Sequence, residues 1–279
     1  MIALLMGLGA ALAWGLHDLL VRRISRGPNV LGQILVTTSV GAAVLMLPGA
    51  RDLTLLSPLA LALAALAGLS YVLAFVGLYR AFGLAPARVV SPVLGAYPLL
   101  SMLVAALSGA VVSPADWLAV TAVVAGVAVV AVLADADGQT TGSLRAALLW
   151  AVLGAAGFAA TFALGQAASV GDLSLAAGLV TRVSGIACLL VLLAWQRPAL
   201  EPVRRNWRLL LIMGLLDTVA LALVMLAAGW PHAEYASVAA SLFGVVTILL
   251  AWLVLGEKVR PAQMLGIALV FAGIAVLAL

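Results

Sequence analysis

From Met1 onward, apolar stretches of about twenty residues alternate with short breaks rich in charge, Pro and Gly. An α-helix rises 1.5 Å per residue, so about 20 apolar residues cross the roughly 30 Å hydrocarbon core of a bilayer. Ten stretches qualify: 2–21, 31–48, 59–79, 87–108, 116–134, 146–167, 174–195, 208–229, 235–255 and 262–279. The breaks, among them RRISRGPN, ADADGQTTGSLR and QRPALEPVRRNWR, are too short for a separate soluble domain. The pattern predicts an all-α integral membrane protein with ten transmembrane helices.

Composition agrees with this pattern. The chain of 279 residues is 66% hydrophobic and 9% charged, with a mean hydropathy of +1.28. Soluble domains carry roughly 25% charged residues. The net charge of +4 therefore concerns loop placement, and nucleic acid is not an expected partner. The N-terminal MIALLMGLGAALAWG lacks the basic region of a cleaved signal peptide and reads as the first spanning helix. Trp117, Trp150, Trp195, Trp207 and Trp230 fall at segment ends, where an aromatic belt belongs. Cys188 is the only cysteine, so no intrachain disulfide forms, and no Cys/His cluster suggests a metal or cofactor.

Twelve of the fourteen Lys and Arg residues fall after odd-numbered segments, and only Arg51 and Arg182 do not. The positive-inside rule then puts those loops in the cytoplasm and both termini outside. Internal similarity comes next. PADWLAVTAVVAGVAVV (Pro114 to Val130) aligns with PAQMLGIALVFAGIAVL (Pro261 to Leu277), and at the same offset Gly109 falls on Gly256. LVTTSVG (Leu35 to Gly41) aligns with LVTRVSG (Leu179 to Gly185). Two halves are expected, 1–143 and 144–279. Because each holds five helices, an odd number, the second enters the membrane from the opposite face as an inverted repeat.

Further motifs stand in order along the chain: Trp14-Gly15, Tyr79-Arg80-Ala81, Pro98, and Leu255-Gly256-Glu257-Lys258 followed by Gln263, Gly266 and Gly273. With the repeats, they resemble the EamA-type branch of the drug/metabolite transporter superfamily, over essentially the whole chain. Within it the chain looks most like the YddG-type amino-acid exporters. The resemblance implies a basic position in the second helix of a repeat, matched by Arg182. Two features depart from the family pattern. Gly109-Ala110 stands where Gly-Glu is usual, and the family's termini are usually cytoplasmic, opposite to the charge count.

An ionisable group in hydrocarbon costs at least about 2.5–3.5 kcal/mol at a helix centre, so each needs a reason. Asp217, near the middle of the eighth segment, reads as a substrate-ammonium or proton-carrying carboxylate, or as a structural Asp paired with Arg. Arg182 could bind a substrate carboxylate, act as a gate charge, snorkel to the interface, or neutralise Asp217. Trp14, His17 and Asp18 share one helical face, as an inward polar and aromatic stripe or as a pair locking the helix end. Asp18 joins Arg182 and Asp217 as a gating or coupling candidate. Tyr71, Phe75 and Tyr79 form an i, i+4, i+8 stripe, which is either packing or cavity wall. Ser91, Pro92, Tyr97 and Pro98 interrupt the fourth segment, while the ninth has Ser237 and Ser241 without prolines. Broken helices in corresponding halves flank substrate sites. Glu234 reads as a loop charge, Glu257-Lys258 as helix-end structure, and the Gly7/Ala11/Gly15 stripe as packing.

The expected substrate-binding set is Trp14, His17, Tyr71, Phe75, Tyr79, Tyr97 and Asp217. No HExxH, GxSxG or P-loop occurs, so an enzyme is not expected. Few charges in the core favour a neutral or zwitterionic solute over a polyanion. The expectation is a monomeric secondary transporter or facilitator exporting amino acids across a bacterial inner membrane, with no cofactor. A multidrug exporter or lipid-linked metabolite flippase is the alternative on the same fold.

Overall fold

The structure is a computed structural model, and it describes residues 1–25, 29–107, 113–135, 143–169, 173–198, 201–227, 230 and 234–277. Gly109 and Ala110 lie outside these residues, as do the side chains of Glu234 and Ser237.

Among the described residues twelve α-helices follow one another: α1 (Ile2–Ile24), α2 (Val30–Ala50), α3 (Pro58–Leu84), α4 (Ala87–Gly95), α5 (Tyr97–Leu107), α6 (Pro114–Asp135), α7 (Leu144–Ala168), α8 (Ser174–Gln196), α9 (Glu201–Ala227), α10 (Glu234–Ser241), α11 (Phe243–Leu255) and α12 (Pro261–Leu277). No strand occurs among the described residues. One non-helical residue separates α4 from α5 and another separates α10 from α11, so the twelve helices make up the ten expected segments. Among the described residues, six of the helices are long and apolar enough to cross a membrane: α1, α2, α3, α7, α8 and α9.

Local chemistry sets the boundaries. The Asn29 side chain accepts from Gly32 N at the start of α2, and Ser57 accepts from Ala60 N ahead of Pro58 at the start of α3. Gly256, at φ +68°, ends α11 in the left-handed conformation that glycine adopts without a Cβ penalty. Between α4 and α5, Pro98 lacks the N–H that would bond back to Leu94, and the helix breaks at Ala96. The break at Leu242 has no proline. There Gly244 lets Phe271 of α12 come so close that a Cβ would lie 2.5 Å from its ring. The α9 helix starts seven residues before its apolar run, because EPVRRNW forms helix outside the hydrocarbon level.

Helix α1 packs on α9, α10 and α11; α3 on α7 and α8; α2 on α8 and α9; α4 on α7 and α11; and α6 on α12. Exchanging the two halves segment for segment turns each of these pairings into another of the set, or, for α2 with α8, α4 with α11 and α6 with α12, into itself. Several close glycine approaches exchange in the same way. A Cβ on Gly126 would lie 2.5 Å from the Gly266 carbonyl oxygen, and one on Gly273 2.7 Å from that of Ala119. In the repeat alignment Gly126 matches Gly273, and Ala119 matches Gly266. Likewise Gly68 meets the Thr181 carbonyl, and Gly214 meets that of Thr37. Outside, Leu47, Leu118, Val132, Val191 and Trp195 are exposed, as lipid-facing side chains are.

Candidate functional site

Four helices bring their polar side chains to one point. Arg182 on α8 donates through Nη2 to Oδ2 of Asp217 on α9 at 2.5 Å. Its Nη1 donates to the Tyr71 hydroxyl on α3, and its guanidinium carbon lies 4.4 Å from the Tyr71 ring centroid. Trp14 Nε1 on α1 donates to Oδ1 of Asp217 at 3.2 Å, while the Tyr71 hydroxyl faces Oδ2 at 3.5 Å. Arg182, Asp217 and Tyr71 are 3%, 7% and 5% exposed, so the cluster is closed to solvent in this structure. Charges this deep are tolerable because each is paired and hydrogen-bonded.

One turn along α1, His17 Nδ1 lies 3.0 Å from Asp18 Oδ1. Both side chains are buried, and His17 Nε2 and Asp18 Oδ2 have no hydrogen-bond partner among the described residues. The His17 ring meets Phe75 edge-on at 5.8 Å between centroids and Tyr79 at 6.5 Å. The Tyr71/Phe75/Tyr79 stripe therefore faces the polar cluster. Tyr97 stands apart from it. It joins through Phe162 at 5.1 Å, Phe158 at 6.3 Å from Phe162, and Phe75 at 5.6 Å from Phe158.

Phe158 and Phe162 on α7 were not among the expected residues, though their i, i+4 spacing was visible. Each broken segment presents an aromatic side chain just past its break. Phe243 meets Trp14 edge-on at 6.2 Å, and Tyr97 meets Phe162. Exchange of the halves relates these two contacts as well.

A second polar cluster went unseen in the sequence. Arg22 Nε donates to Glu257 Oε1 at 2.7 Å, and Arg22 Nη1 donates to the Phe82 carbonyl. Glu257 Oε2 accepts from Ala87 N, the first residue of α4, at 2.8 Å. A carboxylate at a helix N-terminus satisfies an orphan donor and complements the helix dipole. Glu257 does serve a helix end, as expected, but that end belongs to the other half of the chain. At 1.5 Å per residue, Arg22 lies about 12 Å along α1 from Trp14. Both residues of the ion pair are buried, so the cluster ties the end of α1 to the end of α3, the start of α4 and the stretch after α11.

The chain matches the profile of the EamA-like transporter family over residues 1–132 and again over 145–279. It belongs to that family. Members are membrane transporters of small molecules, and no catalytic family is indicated. No curated protein matches the chain. Among solved structures, one described as a crystal structure of a protein aligns over 98% of this chain and 95% of its own. Its TM-score is 0.66 at 22% identity, which shows a shared fold. For this EamA-family chain the buried Arg182–Asp217 pair is thus a charged centre inside a transporter, on helices α8 and α9 long enough to span the membrane.

Proposed function

We propose that this EamA-family transporter exports amino acids, aromatic or neutral, across a bacterial inner membrane. It works as a monomer, by alternating access between inverted five-helix repeats at 1–143 and 144–279, in the manner of the YddG-type exporters. The observation that carries the reading is the Arg182–Asp217 pair held under Trp14 and Tyr71. An amino acid carries the same two charges on one small frame. Its carboxylate takes the place of Asp217 on Arg182, and its ammonium takes the place of Arg182 on Asp217. Neither buried charge is then left unpaired, as neutralising one partner alone would require. The Trp14, Phe75 and Tyr79 rings supply apolar area for a side chain.

The repeat reading draws support from the exchange of helix pairings and glycine contacts described above. Tyr71 and Asp217 both stand three residues after an exchanged glycine, Gly68 and Gly214, so the site lies where the halves meet. Inverted-repeat transporters bind solute at that interface. The opposite end is held by Arg22, Glu257 and Ala87, which must separate to admit solute there.

Reconstituted liposomes loaded with radiolabelled amino acids test this, with and without a pH gradient. Efflux of aromatic or neutral amino acids above protein-free liposomes is expected, with acidic and basic ones moving less. Absence of amino-acid efflux from folded protein overturns the reading. A second reading, a multidrug exporter or lipid-linked metabolite flippase, draws on one observation. An apolar groove of about 290 Å³ opens on the lipid side between α2 and α8, lined by Met46, Leu179, Val183 and Ala187. Efflux of hydrophobic cations or scrambling of lipid-linked sugars in the same liposomes would favour it.

A further inference from the structure

A groove of about 510 Å³ lies between the last turn of α1 and the first turns of α9. Arg23, Glu201, Arg205 and Asn206 supply its polar walls, and Ile24 and Leu209 its apolar floor. Arg23, Glu201 and Arg205 are exposed, and none has an ion-pair partner among the described residues. Arg22, next to Arg23, is committed to Glu257. Two guanidinium groups and one carboxylate thus face the same space with their charges unspent.

The depth of the groove identifies its surroundings. The apolar run of α1 ends at Val21 and that of α9 begins at Leu209, so Arg23 and Arg205 stand about 3 Å and about 6 Å beyond the hydrocarbon level. Trp207, half exposed beside the groove with the Arg208 guanidinium carbon 5.3 Å from its ring centroid, marks the headgroup layer. From the groove, Ile24, Leu20 and Leu16 continue down α1 as an i, i+4, i+8 stripe, all half-buried. That stripe gives an acyl chain a track leading away from the charged walls.

We propose that this groove binds the headgroup of a membrane phospholipid. Arg23 and Arg205 hold the phosphodiester, and Glu201 accepts the ammonium of an ethanolamine head. Guanidinium groups suit phosphate oxygens because their donors form a planar fork. Basic pockets between helices at the membrane surface are the usual receptors of lipid phosphates. The single carboxylate makes the groove selective: it repels a purely anionic head and pairs with an amine-bearing one. A free phosphate ion would use the arginines but neither Glu201 nor the apolar track.

The test is titration of full-length protein in detergent with phosphatidylethanolamine or phosphatidylglycerol, with bound lipid counted by native mass spectrometry. Each basic residue near a membrane surface is worth about 1 kcal/mol, roughly fivefold in affinity, so the Arg23→Ala/Arg205→Ala double variant should bind either lipid roughly 30-fold more weakly. Arg145→Ala, exposed and outside the groove, should bind as the parent does. Glu201→Gln should keep phosphatidylglycerol and lose the preference for phosphatidylethanolamine. Thermal melting checks that each variant is folded, and Arg205→Lys, which keeps the charge, should lose less than Arg205→Ala. Unchanged lipid binding by the folded double variant overturns the proposal. So does displacement of lipid by inorganic phosphate as effectively as by soluble glycerophosphoethanolamine, which would make the groove an ion site.

Discussion

Replacing Asp217 by Asn changes one atom and removes one charge. The parent carboxylate accepts from Trp14 Nε1 at 3.2 Å and from Arg182 Nη2 at 2.5 Å, with the Tyr71 hydroxyl at 3.5 Å. Asn keeps a single carbonyl acceptor and turns an amide donor toward donors. The Arg182 guanidinium, 3% exposed, is then left with the Tyr71 hydroxyl but no counter-charge. Removing one partner of a buried pair costs about 3–5 kcal/mol, while replacing both by apolar residues of similar volume is often neutral. Stability alone therefore does not distinguish a structural pair from a binding pair, but the double variant does. Arg182→Met/Asp217→Leu should recover most of the thermal stability lost in Asp217→Asn. If the pair reads the solute's charges, transport stays absent in that stable double variant. In Asp217→Asn itself, one hydrogen bond to a charged group is lost, worth about 1.5–3 kcal/mol, so apparent affinity for amino acid should fall roughly 10- to 150-fold. The assay is liposome uptake against solute concentration, beside melting curves in the same detergent. Transport by the double variant at the parent's apparent affinity would refute the assignment and leave the pair a packing device.

Three further outcomes are expected. Glu257→Gln removes the charge holding Arg22 and Ala87 N; in a Cys188→Ala background, a cysteine placed at buried Ser25 should then react at least about 10-fold faster with a water-soluble maleimide. Gly126→Ala and Gly273→Ala each force a Cβ against a carbonyl oxygen between α6 and α12, so each should cost about 1–3 kcal/mol of stability, of similar size if the halves are equivalent. A reporter fused after Leu279 should be active only outside the cytoplasm, following the split of basic residues; activity inside would show that the family's usual orientation overrides loop charge here.

The spanning segments were legible because their signal is local. Apolar runs and polar breaks within each stretch carried it, so all ten segments were found. Boundaries drifted where helix formation and hydrophobicity part company, as at α9, whose first seven residues, EPVRRNW, are helical but carry three charges and an amide. The break at Ala96 was readable from Pro98, whose missing N–H is a property of one residue. The break at Leu242 had no such marker, since it coincides with a close approach of Gly244 to Phe271 from another helix.

The same distinction separates the two polar clusters. Asp217 and Arg182 stood out because any charge inside an apolar run demands a partner, and each was nearly the only candidate for the other. Trp14 and Tyr71 followed from facing stripes. Arg22 and Glu257 sit in polar breaks, where charges are ordinary and solvation is the default, so nothing nearby marks them as buried. Their pairing spans 235 positions, and Glu257 is drawn inward by a backbone donor at Ala87 that only the assembled bundle presents. Charges in the runs announce a buried pair from sequence, whereas charges in the breaks become informative only once the helices are in place. The Arg22–Glu257–Ala87 cluster, which joins residues from distant parts of the chain, is therefore visible only in the folded bundle.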